Sequence, residues 1–171
     1  MGVSNKKYLY ILRHAKSDWS EEFKSDFERG LSKRGFRDIL MVSKALKKKK
    51  IKPDLIISSS AIRAQTTAEI FGAILKYDID DIIFKKGLYF ASVSDIIKLI
   101  KDTSNDISHL AIVGHNPELT ELVNVLSSLN LDNLPTSGFV ALEFDVSNWQ
   151  DIKKSNLLFY LTPKMLKSKK K

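Results

Sequence analysis

Short apolar runs separated by longer amphipathic stretches set the pattern of this chain. Tyr8-Leu9-Tyr10-Ile11-Leu12 is the first run, and five apolar residues bounded by charge read as a buried strand. Arg13 to Leu31 is polar with little periodicity. Ser32 then reads as a helix N-cap, followed by Phe36, Ile39, Leu40, Ser43 and Leu46 near helical spacing. A lysine run ends that helix, where the helix dipole favours cations. Pro53-Asp54 punctuates the chain before a second strand at Leu55-Ile56-Ile57. A helix from about Ala61 to Leu75 places Ala64, Ala68, Phe71 and Leu75 on one face. Ile82-Ile83-Phe84 is a third strand, and Ser94 is the expected cap of a helix carrying Ile96, Ile97 and Ile100. Leu110-Ala111-Ile112-Val113 is a fourth strand. Asn116 as N-cap with Pro117 at the first helical position predicts a helix through Leu129.

Strand and helix alternate through three-quarters of the sequence, and then Phe139–Phe144 and Leu157–Leu161 follow as two strands with no helix between them. The expected fold class is α/β, a three-layer α/β/α sandwich whose central sheet is mostly parallel with an antiparallel edge strand. The 171 residues show no repeat and no Pro/Gly/Ser-rich linker, so one domain over 1–171 is expected, with a basic C-terminal tail at about 164–171.

Composition narrows the function classes. Hydrophobic residues at 43% and charged residues at 28% are those of a globular chain, not a disordered or fibrous one. There is no cysteine, which removes disulfides, thiolate catalysis and cysteine-held metals together. No stretch approaches the roughly 18 apolar residues of a membrane span. The apolar run after Lys7 stops at Leu12, too short for a secretory signal, so a cytoplasmic protein without membrane partners is expected. The net charge is +8, but Lys47 to Lys50, Lys52 and the five lysines from Lys164 to Lys171 account for the excess. Without those ten lysines, 18 basic residues face 20 acidic ones. Lysine outnumbers arginine 23 to 5, and lysine is the weaker residue for bidentate recognition of phosphates and bases. The clusters read as solvated surface, and no nucleic acid partner is expected.

In open α/β sheets ligands sit beyond the carboxyl ends of the strands. Arg13-His14-Ala15-Lys16-Ser17 leaves the first strand, Ser58-Ser59-Ser60-Ala61-Ile62-Arg63 the second, and Gly114-His115-Asn116 the fourth. Taken singly, each has an ordinary reading as loop histidine, surface arginine or turn with cap. Together they bring two of the three histidines and two of the five arginines to one edge. His109 starts a strand, lies at the opposite edge and reads as structural. Two guanidiniums and two imidazoles without a carboxylate cluster make an anion site, and forked arginine donors match phosphate. Phosphoryl transfer asks mainly for positioning and charge stabilisation, and an imidazole can serve as its nucleophile. No glycine-rich phosphate loop and no carboxylate pair for magnesium is present, so neither metal nor other cofactor is expected.

These residues carry a resemblance. Leu12 to Ser17 with Asp26 to Gly35, then Ser58 to Glu69, then Val113 to Pro117 resemble the three blocks of the histidine phosphatase superfamily, which has the phosphoglycerate mutase-like fold. Ala15, where many members have glycine, and the short length make the chain most similar to the SixA-like phosphohistidine phosphatase branch. The resemblance covers residues 8 to 145 and implies a nucleophilic His14 that becomes phosphorylated. It also implies that Arg13, Arg63 and His115 surround the phosphoryl oxygens, with Arg29 near the phosphate. Lys16, Ser17, Asn116 and Thr136-Ser137 are expected at the pocket mouth, Asn116 chiefly as a helix cap.

The departures carry chemistry. Gly30 and Ser60 stand where proline is common, which affects loop stiffness. Gly87-Leu88-Tyr89-Phe90 occupies the region where larger members carry a glutamate general acid, and no acidic residue lies between Asp81 and Asp95. Asp18 is then the nearest candidate acid. Phosphohistidine is a phosphoramidate whose leaving imidazole has a near-neutral pKa, so it can depart without one. The sequence therefore predicts a metal-independent phosphatase acting through phosphorylated His14, with protein phosphohistidine as the leading substrate. A small-molecule phosphomonoesterase is the second reading. A non-catalytic phosphoprotein- or polyanion-binding module is the third, and it would not require a nucleophile.

Overall fold

A computed structural model describes residues 5–20 and 25–168. Six strands form one sheet: β1 (Lys7–Arg13), β2 (Leu55–Ser59), β3 (Ile83–Lys85), β4 (His109–Gly114), β5 (Phe139–Phe144) and β6 (Asn156–Leu161). Their order is β3-β2-β4-β1-β5-β6. β1, β2, β3 and β4 pair in parallel, with Leu9 opposite Leu110 and Arg13 opposite Gly114. β5 alone runs against the rest, pairing antiparallel with β1 on one side and β6 on the other. The expected antiparallel edge is therefore made by reversing the penultimate strand.

Alternation within each strand divides the core into two layers, because successive side chains point to opposite faces. Leu9 and Ile11 of β1, Leu110 and Ile112 of β4, and Val140 and Leu142 of β5 pack on one face against α3 (Val93–Lys101), α4 (Glu118–Leu126) and Trp149. Tyr10, Leu12, Ala111, Val113 and Ala141 pack on the other against α1 (Lys33–Lys48) and α2 (Ile62–Ile74). A sheet covered on both sides explains why its central strands read as continuous apolar runs. No helix among the described residues is long and apolar enough to cross a membrane.

Four local expectations are corrected. Ser92, not Ser94, caps α3, through a reciprocal capping box with Asp95. α4 begins after a cis Asn116–Pro117 bond with Pro117 at its N-cap, and it ends at Leu126 rather than Leu129. There the Ser127 backbone turns extended, and the Asn124 amide side chain brackets Leu131 with two 2.8 Å bonds. On α1 the buried stripe is Gly35, Asp38, Ile39, Val42, Ser43 and Leu46, which leaves Phe36 and Leu40 exposed. Finally, the basic tail is not simply solvated chain: α5 (Pro163–Ser168) packs Leu166 against the α1 layer, and Lys169 to Lys171 lie outside the described residues.

Candidate active site

Sheet order builds the site. β4 lies between β1 and β2, so the chain leaving β1 at Arg13-His14 runs beside the exit of β4 at Gly114-His115 and near the exit of β2 at Ser59. The His14 amide donates to the Gly114 carbonyl (3.0 Å), and the two imidazole centroids are 5.2 Å apart. α2 adds Arg63 from its first turn. A cavity of about 290 Å³ results, lined by Arg13, His14, Arg63 and His115 at its base, with Lys16, Ser17, Arg29, Asn116, Thr136 and Trp19 around them. The four residues expected to do the chemistry and the four expected to bind substrate thus line one cavity.

The backbone after β1 is pinned from three sides. Ala15 N donates to Thr67 Oγ1 (2.9 Å), which itself donates to the Arg63 carbonyl (2.7 Å), tying loop and helix together. The Ser32 amide donates to the Lys16 carbonyl at 2.9 Å, and a Cβ placed on Gly35 would overlap that same oxygen, so only glycine allows this approach. From the β5 side, Ser137, in the left-handed region at φ 59°, offers its amide to the Arg13 and His14 carbonyls.

His14 is buried, and its Nδ1 lies 2.7 Å from the Ala15 carbonyl. A carbonyl only accepts, so Nδ1 carries the proton and the Nε2 lone pair is left for the cavity. Burial pushes the His14 pKa down to about 3, with the nearby His115, Arg13 and Arg63 acting in the same direction against the Ala15 hydrogen bond. His115 falls to about 4, mainly through burial and then through Arg63. Both rings are therefore neutral at pH 7. His115 Nε2 lies 2.8 Å from Ser59 Oγ.

Three buried nitrogen atoms on these residues have no partner: Arg13 Nε, Arg63 Nε and His115 Nδ1. Their neighbours are otherwise engaged. Arg13 Nη1 donates to the Leu134 carbonyl (3.0 Å), which also accepts from Asn116 Nδ2 (2.8 Å). Asn116 Oδ1 accepts from the Thr120 amide and hydroxyl, so Asn116 holds the first turn of α4 from two residues before it while lining the cavity. Burial, reinforced by Arg63, lowers the Arg13 pKa.

Asp26 has a place that the sequence does not reveal. Arg63 Nη1 donates to its carbonyl (2.6 Å) and Arg63 Nη2 to Oδ2 (3.0 Å), Arg29 Nη1 donates to Oδ1 (2.5 Å), and the Tyr89 hydroxyl donates to Oδ2. Against partial burial, which raises it, the bonds from Tyr89, Arg29 and Arg63 hold the Asp26 pKa down at about 2. Arg29 Nε also donates to Ser17 Oγ (3.0 Å), and its guanidinium stacks on the Trp19 ring at 3.5 Å. Asp18 is not among the cavity-lining residues, and its Oδ1 accepts from the Ser20 amide and hydroxyl. His109 lies at the other end of β4 and stacks on Tyr8 with Nδ1 2.8 Å from the Tyr10 hydroxyl. Among the described residues no group of three or more His, Cys, Asp or Glu could hold a metal ion.

Comparison with known proteins places this geometry in context. The model of the histidine phosphatase superfamily (branch 1) matches residues 9–88. The uncharacterized protein Rv1276c of Mycobacterium tuberculosis is 28% identical over 152 residues, 82% of this chain and 91% of that one. An uncharacterized chloroplastic protein of Arabidopsis thaliana, At3g52155, is 28% identical over 157 residues, 87% of this chain and 72% of that one. Among solved structures, an Agrobacterium tumefaciens protein named as a phosphohistidine phosphatase SixA superimposes with a TM-score of 0.77 at 26% identity, covering 92% of this chain and 98% of that one. The protein histidine phosphatase SixA complexed with tungstate shares the fold, with a TM-score of 0.79 at 20% identity over 93% and 99% of the two chains.

Proposed function

We propose that the chain, whose residues 9–88 match the histidine phosphatase superfamily (branch 1), is a phosphatase that removes phosphoryl groups from protein phosphohistidine through a phosphorylated His14. The observation that carries this reading is the set of unpartnered buried nitrogens, Arg13 Nε, Arg63 Nε and His115 Nδ1, on residues that line one cavity with an imidazole whose free lone pair is on Nε2. Buried N–H groups without partners are costly unless a ligand satisfies them, and three around one cavity fit the three equatorial oxygens of a transferring phosphoryl group.

In this reading His14 Nε2 attacks phosphorus in line with the departing imidazole nitrogen. The N–P bond to the substrate breaks, and a new N–P bond to His14 forms. The two arginine Nε–H groups hold charge as it develops. Ser59 donates its hydroxyl proton to His115 Nε2, which fixes the proton of that neutral ring on Nδ1 as the third donor. Water then attacks the phosphorus on His14, the His14 Nε2–P bond breaks with its electron pair returning to Nε2, and the phosphate leaves carrying the protons of the water. Lys16, Ser17, Arg29 and Asn116 line the mouth.

Among the described residues no carboxyl group lines the cavity, which favours an activated substrate. Asp26 is ionised at any pH well above 2, and Asp18 sits outside the lining. A leaving imidazole needs no strong acid, whereas an alkoxide does.

Two measurements test the reading. Rapid quench with a ³²P-labelled phosphohistidine protein should trap label on His14 and none on the His14→Ala variant. A plot of log kcat/KM against leaving-group pKa should be steep and remain so in Asp18→Asn. A flat wild-type slope that steepens in Asp18→Asn would make Asp18 the acid and ordinary monoesters the substrates. A folded protein that binds phosphoprotein without turnover would overturn the enzymatic reading of this site.

A further inference from the structure

The outer face of α1 carries a second stripe, more exposed than the buried one, in which Ala45 packs against the core. Arg37, Leu40, Met41, Lys44, Ala45 and Lys48 recur at steps of three and four residues, which places them in one row along the helix. Leu166 of α5 lies across from this row, and a groove of about 730 Å³ runs between them. Leu40, Met41, Ala45 and Leu166 supply its apolar surface, and Leu40 is 40% exposed. Arg37, Lys44, Lys48 and Lys49 supply its charge, and among the described residues no acidic side chain lines it. The wall formed by α5 is tied down. Asp38, its side chain only 3% exposed, accepts from Lys167 Nζ at 2.9 Å and faces Arg34 Nε at 3.5 Å.

We propose that this groove docks an acidic amphipathic helix from a partner protein, whose apolar stripe enters the groove while its carboxylates meet the four cations. An apolar floor between cationic edges is the complement of such a helix. A second copy of this chain fits poorly, since a two-fold contact on this face would set cations against cations. A nucleic acid would leave the apolar floor unused. A lipid surface is planar and would meet a concave groove only at its rims. The proposal does not rest on the hydrolytic reading. α1 is about 24 Å long at 1.5 Å per residue, and its Gly35 end touches the cavity loop at Lys16. The groove and the active-site cavity share no lining residue.

The test is an amide-resolved NMR titration of the full chain with a synthetic peptide helix of about five turns, leucine on one face and glutamate elsewhere. Saturable binding is expected, with shift changes confined to 37–49 and 163–168. Leu40→Asp and Lys44→Glu should each weaken it at least tenfold while the remaining spectrum and the hydrolysis of an aryl phosphate stay unchanged. A peptide of the same composition with its apolar stripe scrambled should also bind at least tenfold more weakly. Equal binding of the scrambled peptide, shifts centred on the His14 cavity, or no saturation at millimolar peptide would each overturn the proposal. So would tighter association with anionic vesicles through the same residues.

Discussion

Two buried neutral histidines make stability depend on pH in a window that few other groups share. The folded pKa values of His14 and His115, about 3 and about 4, lie below the unfolded value near 6.5. Unfolded chain therefore binds more protons than folded chain below pH 6.5, and stability falls as pH falls. The contribution is fully present above the unfolded pKa and is lost progressively toward the folded one. Each such group costs about 1.4 kcal/mol per pH unit inside the window, so at pH 5 each removes about 2 kcal/mol. Together they remove about 4 kcal/mol of the 5–15 kcal/mol typical of a domain. His109, also lowered by burial, acts in the same direction. The assay is urea unfolding at pH 5, 6 and 7, followed by the fluorescence of Trp149, which is buried, and Trp19. His14→Gln should recover about 2 kcal/mol of the loss between pH 7 and 5, whatever its effect at pH 7. An unchanged pH slope in that variant, with an unchanged m-value, would show that His14 is not held neutral by burial.

Three further outcomes follow from the contacts around the cavity. Arg63→Ala should lower kcat by about 10²–10³, the effect of losing one preorganised donor, and Arg63→Lys should recover only part because the fork that grips Asp26 is lost; full recovery would mean that only charge matters there. Asp26→Asn should lower kcat more than it raises KM; its stability effect should stay within about 1 kcal/mol because the carboxylate is half exposed, present above pH 4 and lost toward pH 2 in the wild type. Gly35→Ala should destabilise by about 1–3 kcal/mol through overlap with the Lys16 carbonyl, read as a Tm drop of several degrees in calorimetry, with activity falling in parallel as the pocket loop shifts.

The sheet and the four central side chains were legible in the sequence for the same reason. Apolar runs such as Ile11-Leu12 and Ile112-Val113 announce strands, and in a parallel sheet the polar residues just after them must gather at one edge. His14, Arg13, Arg63 and His115 are all of that kind. Asp26 is not. It sits in a polar stretch without periodicity, and its contact with Arg63 spans 37 positions, so only tertiary structure joins them. Its sequence signals are its place three residues before Arg29 and at the head of the Asp26 to Gly35 block. Ser59 was hidden among three serines, and its bond to His115 depends on β2 lying next to β4. The helix at the C-terminus was legible but outweighed by its lysines. Thr162-Pro163 is a cap followed by a first-position proline, and Thr162 Oγ1 does accept from the Met165 amide. On α1 the moderate spacing of Phe36 and Leu40 suggested core, while the buried row lies one position around the helix and includes Asp38, which a hydrophobic pattern cannot find.

Asp26 also resolves a difficulty in the electrostatics of the cavity. Arg63 is buried beside it and Arg13 is half-buried, and after burial the repulsion between them contributes to the lowered pKa of Arg13. An anion site that is empty between turnovers must hold those cations without its ligand, and bare burial of like charges is unfavourable. Asp26 offsets this by taking both Nη groups of Arg63, one at its backbone carbonyl and one at Oδ2, and Arg29 at Oδ1. Because it takes the outer edge of the Arg63 fork, Nε is the atom left unpartnered. The same bonds hold Asp26 ionised, which removes it as a proton donor to a leaving group. Under the proposed function, keeping the arginines in place and withholding Asp26 as a proton donor are two consequences of one contact, and the second favours substrates whose leaving group departs unaided.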